Sequence, residues 1–220
     1  MIAAVVFDLD GLLIDSEQVW DEARRQFVDE QGGRWHDRAQ RDMMGMSSPE
    51  WSRYVNEELA VDLPPERISA EVVRRLAALY RRDLPLLPGA QAAVKRLAAR
   101  WPLGLASSSN RELIDLVLDL AGLAGCFRVT VSSEEVARGK PAPDVYLEVT
   151  GRLHAAPSRC IAIEDSHNGI LAAAAASMRV IAVPNRAFPP GKDALSKADR
   201  VLRSLCELTP DLIEAGGRPD

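Results

Sequence analysis

The sequence predicts a doubly wound α/β fold: a parallel sheet with helices on both faces, carrying a helical insert after its first strand. Three observations predict it. Short apolar runs rich in Val, Ile, Leu and Ala recur along the chain, and helical patterns separate the later runs. From Ser16 to about Pro85 the apolar runs stop while helical patterns continue.

Taken in order, the apolar runs are Ala3 to Phe7, Leu103 to Ala106, Val129 to Val131, Cys160 to Ile163 and Val180 to Val183. Each reads as a buried parallel strand, because a strand covered on both faces needs no polar alternation. Helical patterns fall at Ala90 to Ala99, Arg111 to Leu120, Asp144 to Leu153 and Gly169 to Ala176. Within the insert they fall at Glu17 to Glu30, Pro49 to Leu59 and Pro65 to Arg82. The chain returns through Leu84-Pro85-Leu86-Leu87-Pro88-Gly89, whose prolines suit a stiff linker or hinge. Residues 1–15 and 86–220 therefore read as a discontinuous core, 16–85 as a helical cap, and Glu214 to Asp220 as a frayed tail.

Composition narrows the function. A chain of 220 residues, 47% hydrophobic and 27% charged, buries a core and folds autonomously. A net charge of -5 argues against a nucleic-acid surface, which needs clustered Lys and Arg. Arginine outnumbers lysine 23 to four, a bias that makes the few lysines (Lys95, Lys140, Lys192, Lys197) informative. Cys126, Cys160 and Cys206 lack the paired spacing of a zinc or redox motif and read as buried or incidental thiols. No signal peptide or membrane-length stretch is seen, so the expectation is a cytoplasmic protein without nucleic-acid or membrane partners, a monomer or weak dimer.

Ligands of open parallel sheets bind beyond the carboxyl ends of the strands, and polar residues gather there. The first strand ends in Asp8 and Asp10, the second in Ser107-Ser108-Ser109-Asn110, and the fourth in Glu164-Asp165; Lys140 precedes a helix expected near Pro141. Two carboxylates about 4 Å apart repel by roughly 4 kcal/mol at an effective dielectric near 20, so such a cluster calls for a cation. Oxygen ligands favour Mg2+, with Asp8, Asp10, Glu164 and Asp165 as candidate ligands. His36, His154 and His167 have no second His or Cys beside them.

The chemistry suggested is phosphoryl transfer to a carboxylate, which divides a slow hydrolysis into two steps. Asp8 is the candidate nucleophile and Asp10 the acid that protonates the leaving oxygen, then the base that activates water. Ser107, with Ser108 and Asn110 beside it, is the candidate phosphate cradle at a helix N-terminus, and Lys140 offsets the growing negative charge. Singly, each signal has a plain structural reading as a cap or turn. Their order at the ends of successive strands is what is specific.

The chain thereby resembles the haloacid dehalogenase superfamily of phosphatases, whose four motifs are matched by Asp8-Leu9-Asp10-Gly11, Ser107, Lys140 in Gly139-Lys140-Pro141, and Glu164-Asp165-Ser166-His167-Asn168-Gly169. The resemblance implies a Rossmann-like core with an α-helical cap. It also implies metal binding through the Asp8 side chain, the Asp10 carbonyl and Asp165, with Glu164 a direct or indirect ligand. Phe7 to Glu17 is similar to the branch containing β-phosphoglucomutase and sugar-phosphate phosphatases. The mutase pattern expects a His, a basic residue and a Lys where this chain has Trp20, Ser48 (after Gly45) and Leu76. Asp15 to Asp21 instead looks similar to hexose-phosphate phosphatases acting on compounds such as 2-deoxyglucose 6-phosphate, so a small sugar phosphate is the expected partner. Trp20 and Gly45 are the candidate substrate contacts from the insert, Trp20 reading equally as packing. The alternatives are a phosphosugar mutase and a silent phosphate-binding module; the latter predicts loss of a motif acid, and none is lost.

Overall fold

The structure, a computed structural model, describes residues 1–44, 46–186 and 188–215. Six parallel strands, β1 (Ala4–Phe7), β2 (Leu103–Ser107), β3 (Phe127–Ser132), β4 (Cys160–Glu164), β5 (Arg179–Ala182) and β6 (Arg200–Val201), form one sheet in the order β3-β2-β1-β4-β5-β6. The order reverses at β1, which pairs with β2 on one side and β4 on the other: Phe7 sits beside both Leu105 and Ile163. That register brings Asp8, Ser107 and Glu164 out along one edge, at the crevice where such sheets bind ligands.

Alternation along the strands sorts side chains between two apolar layers. Val5, Phe7, Leu103, Leu105, Ile161 and Ile163 pack on one face with α5 (Ala90–Ala98) and α6 (Arg111–Leu120). Ala4, Val6, Ala106, Ala162, Val180 and Ala182 face α7 (Asp144–Arg152) and α8 (His167–Ala175) on the other. The second layer is built from smaller residues, which suits the alanine-rich α8.

Between β1 and β2 the chain forms α1 (Glu17–Glu30), α2 (Ala39–Met43), α3 (Ser48–Glu57) and α4 (Pro65–Arg82). In α4, Ile68, Val72, Leu76 and Tyr80 recur at helical period and are buried. A capping box between Ser47 and Glu50 starts α3, and Pro49 fits its first turn. The two connections to the sheet pair with each other: Leu87 N–H donates to the Leu13 carbonyl (2.9 Å), and Asp15 N–H to the Pro85 carbonyl (2.8 Å). Ser48 at the start of α3 donates to Asn110 Oδ1 (2.8 Å), and Asn110 donates to Glu134 Oε1 (2.6 Å), tying the helical segment to the sheet.

Short elements are where the structure exceeds the sequence reading. The five-residue α2, the four-residue α9 (Lys192–Leu195), the six-residue α10 (Pro210–Ala215) and two-residue β6 span too few positions to display a period. The helix expected near Pro141 begins at Asp144, so Lys140 lies in the turn before it. Among the described residues no helix is long and apolar enough to cross a membrane. Leu105, fully buried at the sheet centre, tests this core: Leu105→Ala should cost about 2–5 kcal/mol of unfolding free energy, read from urea titration, unless the layer collapses into the gap.

Candidate active site

Asp8 follows β1 directly, its N–H donating to the Ile163 carbonyl (3.0 Å), so the ladder with β4 aims it into the crevice. Lys140 meets it there. The Lys140 ammonium donates to Asp8 Oδ1 (2.6 Å), Glu164 Oε1 (2.6 Å) and the Ala106 carbonyl (3.1 Å), which uses all three of its hydrogens. Its side chain is buried, with the Tyr146 ring 5.2 Å away.

Glu164 is saturated. Oε1 accepts from Lys140 and from the Tyr146 hydroxyl (2.6 Å), while Oε2 accepts from the Asp165 N–H (3.1 Å), Ser166 N–H (3.3 Å) and Ser166 Oγ (3.0 Å). Asp165 differs: its buried Oδ1 has no hydrogen-bond partner among the described residues. Carboxylate oxygens of Asp8, Glu164 and Asp165 all lie within 4.8 Å of one another. An all-oxygen, buried, partly unpartnered acid cluster fits a hard divalent cation, with Asp165 Oδ1 unpartnered among the described residues and Asp8 beside it.

Asp10, two residues beyond Asp8, turns away from that cluster: its Oδ2 accepts from Ser107 Oγ (3.2 Å) and Ser109 Oγ (2.7 Å). Its side chain thus lies outside the acid cluster. Ser107 is fully buried beneath Asp10 and accepts from the Ser109 N–H (2.9 Å), so Ser108 and Ser109, not Ser107, line the open cavity. Asn110 departs from the expected phosphate cradle, since its amide is consumed between Ser48 and Glu134 and it does not line the cavity. Gly45 lies outside the described residues.

The cavity, about 440 Å³, runs from Asp8, Asp165 and Lys140 to a wall built by the helical segment, where Glu17, Trp20, Arg24 and Trp51 face it. Trp20 packs edge-on against Trp51 (5.8 Å) and also lines the cavity. Glu17, Arg24 and Ser109 were not anticipated. A signal existed for two of them: Glu17, Trp20 and Arg24 recur at helical period, which sets two charges on the face of α1 that buries Trp20, Ala23 and Phe27.

Burial dominates the electrostatics. It raises the Asp8 carboxyl, and Glu164 and Asp10 add to the rise while Lys140 opposes it, leaving Asp8 at about 8. Asp165 is likewise pushed well above its ordinary range by burial, then by Asp8 and Glu164. Burial works against the Lys140 charge, but Asp8 and Glu164 outweigh it and hold the ammonium charged. Across the cavity, burial lifts Glu17 to about 7 and lowers Arg24 to about 10.

The fold and this geometry agree with the comparisons. Residues 2–177 match the family model of haloacid dehalogenase-like hydrolases. The chain is 35% identical to hexitol phosphatase B of Escherichia coli, over 94% of this chain and 95% of that protein. It is 32% identical, over 94% of its length, to the bifunctional riboflavin kinase/FMN phosphatase of Arabidopsis thaliana, of which it spans about half (54%). Among solved structures, CbbY from Rhodobacter sphaeroides in complex with phosphate superposes with a TM-score of 0.84 at 27% identity, covering 94% of this chain and 96% of that one. The chain belongs to the haloacid dehalogenase-like hydrolase family and is a phosphoric monoester hydrolase.

The raised acids give a pH test. A carboxyl held at about 8 in the fold against 3.8 ordinarily is protonated in the folded chain where the unfolded chain is ionised. The stability it lends is complete below its ordinary value and is lost as pH rises through about 8. The melting temperature of the metal-free protein should therefore fall between pH 5 and about pH 8, and added Mg2+ should raise it more at the upper end. Asp165→Asn should flatten both trends; an unchanged pH slope in that variant would contradict the assignment.

Proposed function

We propose that this chain is a Mg2+-dependent phosphatase that hydrolyses small sugar-phosphate monoesters through an aspartyl-phosphate on Asp8. The observation that carries this reading is the division of labour around Asp8. Lys140 holds Oδ1, while Oδ2 accepts no hydrogen bond among the described residues and is left for attack. In the first step Oδ2 bonds to phosphorus, the bond to the leaving oxygen breaks, and Asp10 transfers a proton to that oxygen. In the second, Asp10 takes a proton from water, which attacks the same phosphorus and returns Asp8 as carboxylate.

Ser107 and Ser109 fix the Asp10 carboxyl for that exchange, and Lys140 offsets charge growing on the phosphoryl group. Asp8 and Asp165, with the Asp10 carbonyl, would hold Mg2+, which supplies further positive charge beside the phosphoryl oxygens. Glu164, its oxygens occupied by five donors, acts by orienting Lys140. Residues 16–85 serve as a cap whose paired connections at Leu13–Asp15 and Pro85–Leu87 act as its hinge, closing over the substrate to exclude water.

Transfer to water rather than back to sugar is favoured by the three departures from the mutase pattern. Trp20 is packed on Trp51, Ser48 is buried on Asn110, and Leu76 is fully buried in the insert. None of the three offers a basic side chain to a second phosphate. The sugar-phosphate class is supported by the relative named a hexitol phosphatase.

Phosphate release from a panel of sugar monophosphates, with and without Mg2+, tests the reading. Asp8→Asn should lower turnover by at least about a thousandfold with the fold intact, and Asp10→Asn by about a hundredfold or more. Activity retained by Asp8→Asn excludes it as nucleophile; sugar interconversion without phosphate release would establish the mutase instead.

A further inference from the structure

The wall of the cavity facing Asp8 contains a cation that nothing in the catalytic scheme uses. Arg24 is 5% exposed, and its guanidinium carbon stands 4.4 Å from the Trp20 ring centre and 4.8 Å from that of Trp51. Among the described residues it makes no ion pair within 4.0 Å, and its buried Nε has no hydrogen-bond partner. Nη1 makes a single long contact of 3.4 Å to Gln40 Oε1. A guanidinium offers five N–H donors, and leaving the buried Nε donor unmet is costly; the two indoles offset only part of this.

An acceptor stands beside these donors. Gln40 turns its amide to Glu17, donating from Nε2 to the Glu17 carboxylate Oε2 (3.0 Å) and to the Glu17 carbonyl (3.2 Å). Gln40 therefore fixes Glu17 and Arg24 relative to each other, and the other Glu17 oxygen accepts no hydrogen bond among the described residues. Both side chains line the cavity. A hydroxyl group accepts and donates at once, so a pair of hydroxyls satisfies Arg24 and Glu17 together. A second phosphate would meet Arg24 but also the Glu17 and Asp10 carboxylates, and like-charge contact disfavours it.

We infer that Arg24, packed against both Trp20 and Trp51 and coupled through Gln40 to Glu17, is a specificity-determining residue that selects phosphate esters of a neutral polyol over bisphosphates. The inference rests on the reading of the cavity as the phosphomonoester site. Its physical content is differential binding: the polyol supplies the acceptors that Arg24 lacks, and a phosphate without a polyol does not.

Calorimetric binding to the full chain carrying Asp8→Asn, in Mg2+, separates this from the catalytic reading. The probes are sorbitol 6-phosphate, fructose 1,6-bisphosphate and inorganic phosphate. Sorbitol 6-phosphate should bind at least about tenfold tighter than either of the others, the scale of one hydrogen bond to a charged group. Adding Arg24→Gln should weaken sorbitol 6-phosphate about tenfold and inorganic phosphate by less than about threefold. Glu17→Gln should give the same selective loss from the other side of the subsite, and Arg24→Lys, which keeps the charge but not the fork, should recover only part. Thermal melting checks that each variant folds. The inference falls if the parent does not prefer sorbitol 6-phosphate, if Arg24→Gln and Glu17→Gln both weaken the two ligands equally, or if neither variant changes either. Wild-type protein that releases no phosphate while these binding differences persist would overturn the phosphatase reading alone.

Discussion

The site depends on one buried ammonium. Lys140 spends its three hydrogens on Asp8, Glu164 and the Ala106 carbonyl, and so joins the ends of β1, β2 and β4 through a single atom. Burial pushes Asp8 and Asp165 up, and three buried carboxylates against one cation, a cluster short of positive charge, add to the rise. Desolvation makes such a group costly unless every partner is in place, and Glu164 meets that condition with donors on both oxygens. The same constraint leaves Asp165 as the acid with a buried oxygen to offer.

Holding these acids so close to the backbone requires two glycines. Gly11 adopts φ +77, and any Cβ there would collide with the Asp165 carboxylate. A Cβ at Gly169, in the first turn of α8, would occupy the Glu164 carboxylate. Ser166 opens that helix by accepting from the Gly169 N–H while donating to Glu164, so helix start and acid placement are one arrangement. The motif residues are thus joined mechanically as well as chemically.

The helical segment is tied to the sheet at two places of different character. The paired connections are backbone hydrogen bonds near its exit and return. The Ser48–Asn110–Glu134 chain is a side-chain link from α3 to the loop after β2, beside the serines that hold Asp10. Asn110 therefore links the start of α3 to the loop after β2, which accounts for its place in the Ser-Ser-Ser-Asn stretch without any contact to the cavity. Trp20, Trp51 and Arg24 complete a wall that the helical segment sets across the cavity from the acid cluster.

The sequence by itself determined the strands with long apolar runs, the long helices, the place of the insert, and the acids and lysine at the strand ends. These are local patterns: period, turn chemistry and residue type at an element boundary. It determined Asp8, Asp10, Lys140, Glu164 and Asp165 as a set because topology sends consecutive parallel strands to a common edge. Tertiary structure alone decided what each polar group spends its hydrogen bonds on. Ser107 turning under Asp10, Asn110 leaving the cavity for Ser48, and Glu164 being filled by Lys140 and Tyr146 are choices among partners distant in sequence. The charges of Glu17 and Arg24 were legible on the buried face of α1, yet only packing against Trp51 and Gln40 turned them into a cavity wall. Periodicity fixes which face of an element is buried; what that face meets is set by three-dimensional packing, which no local pattern contains.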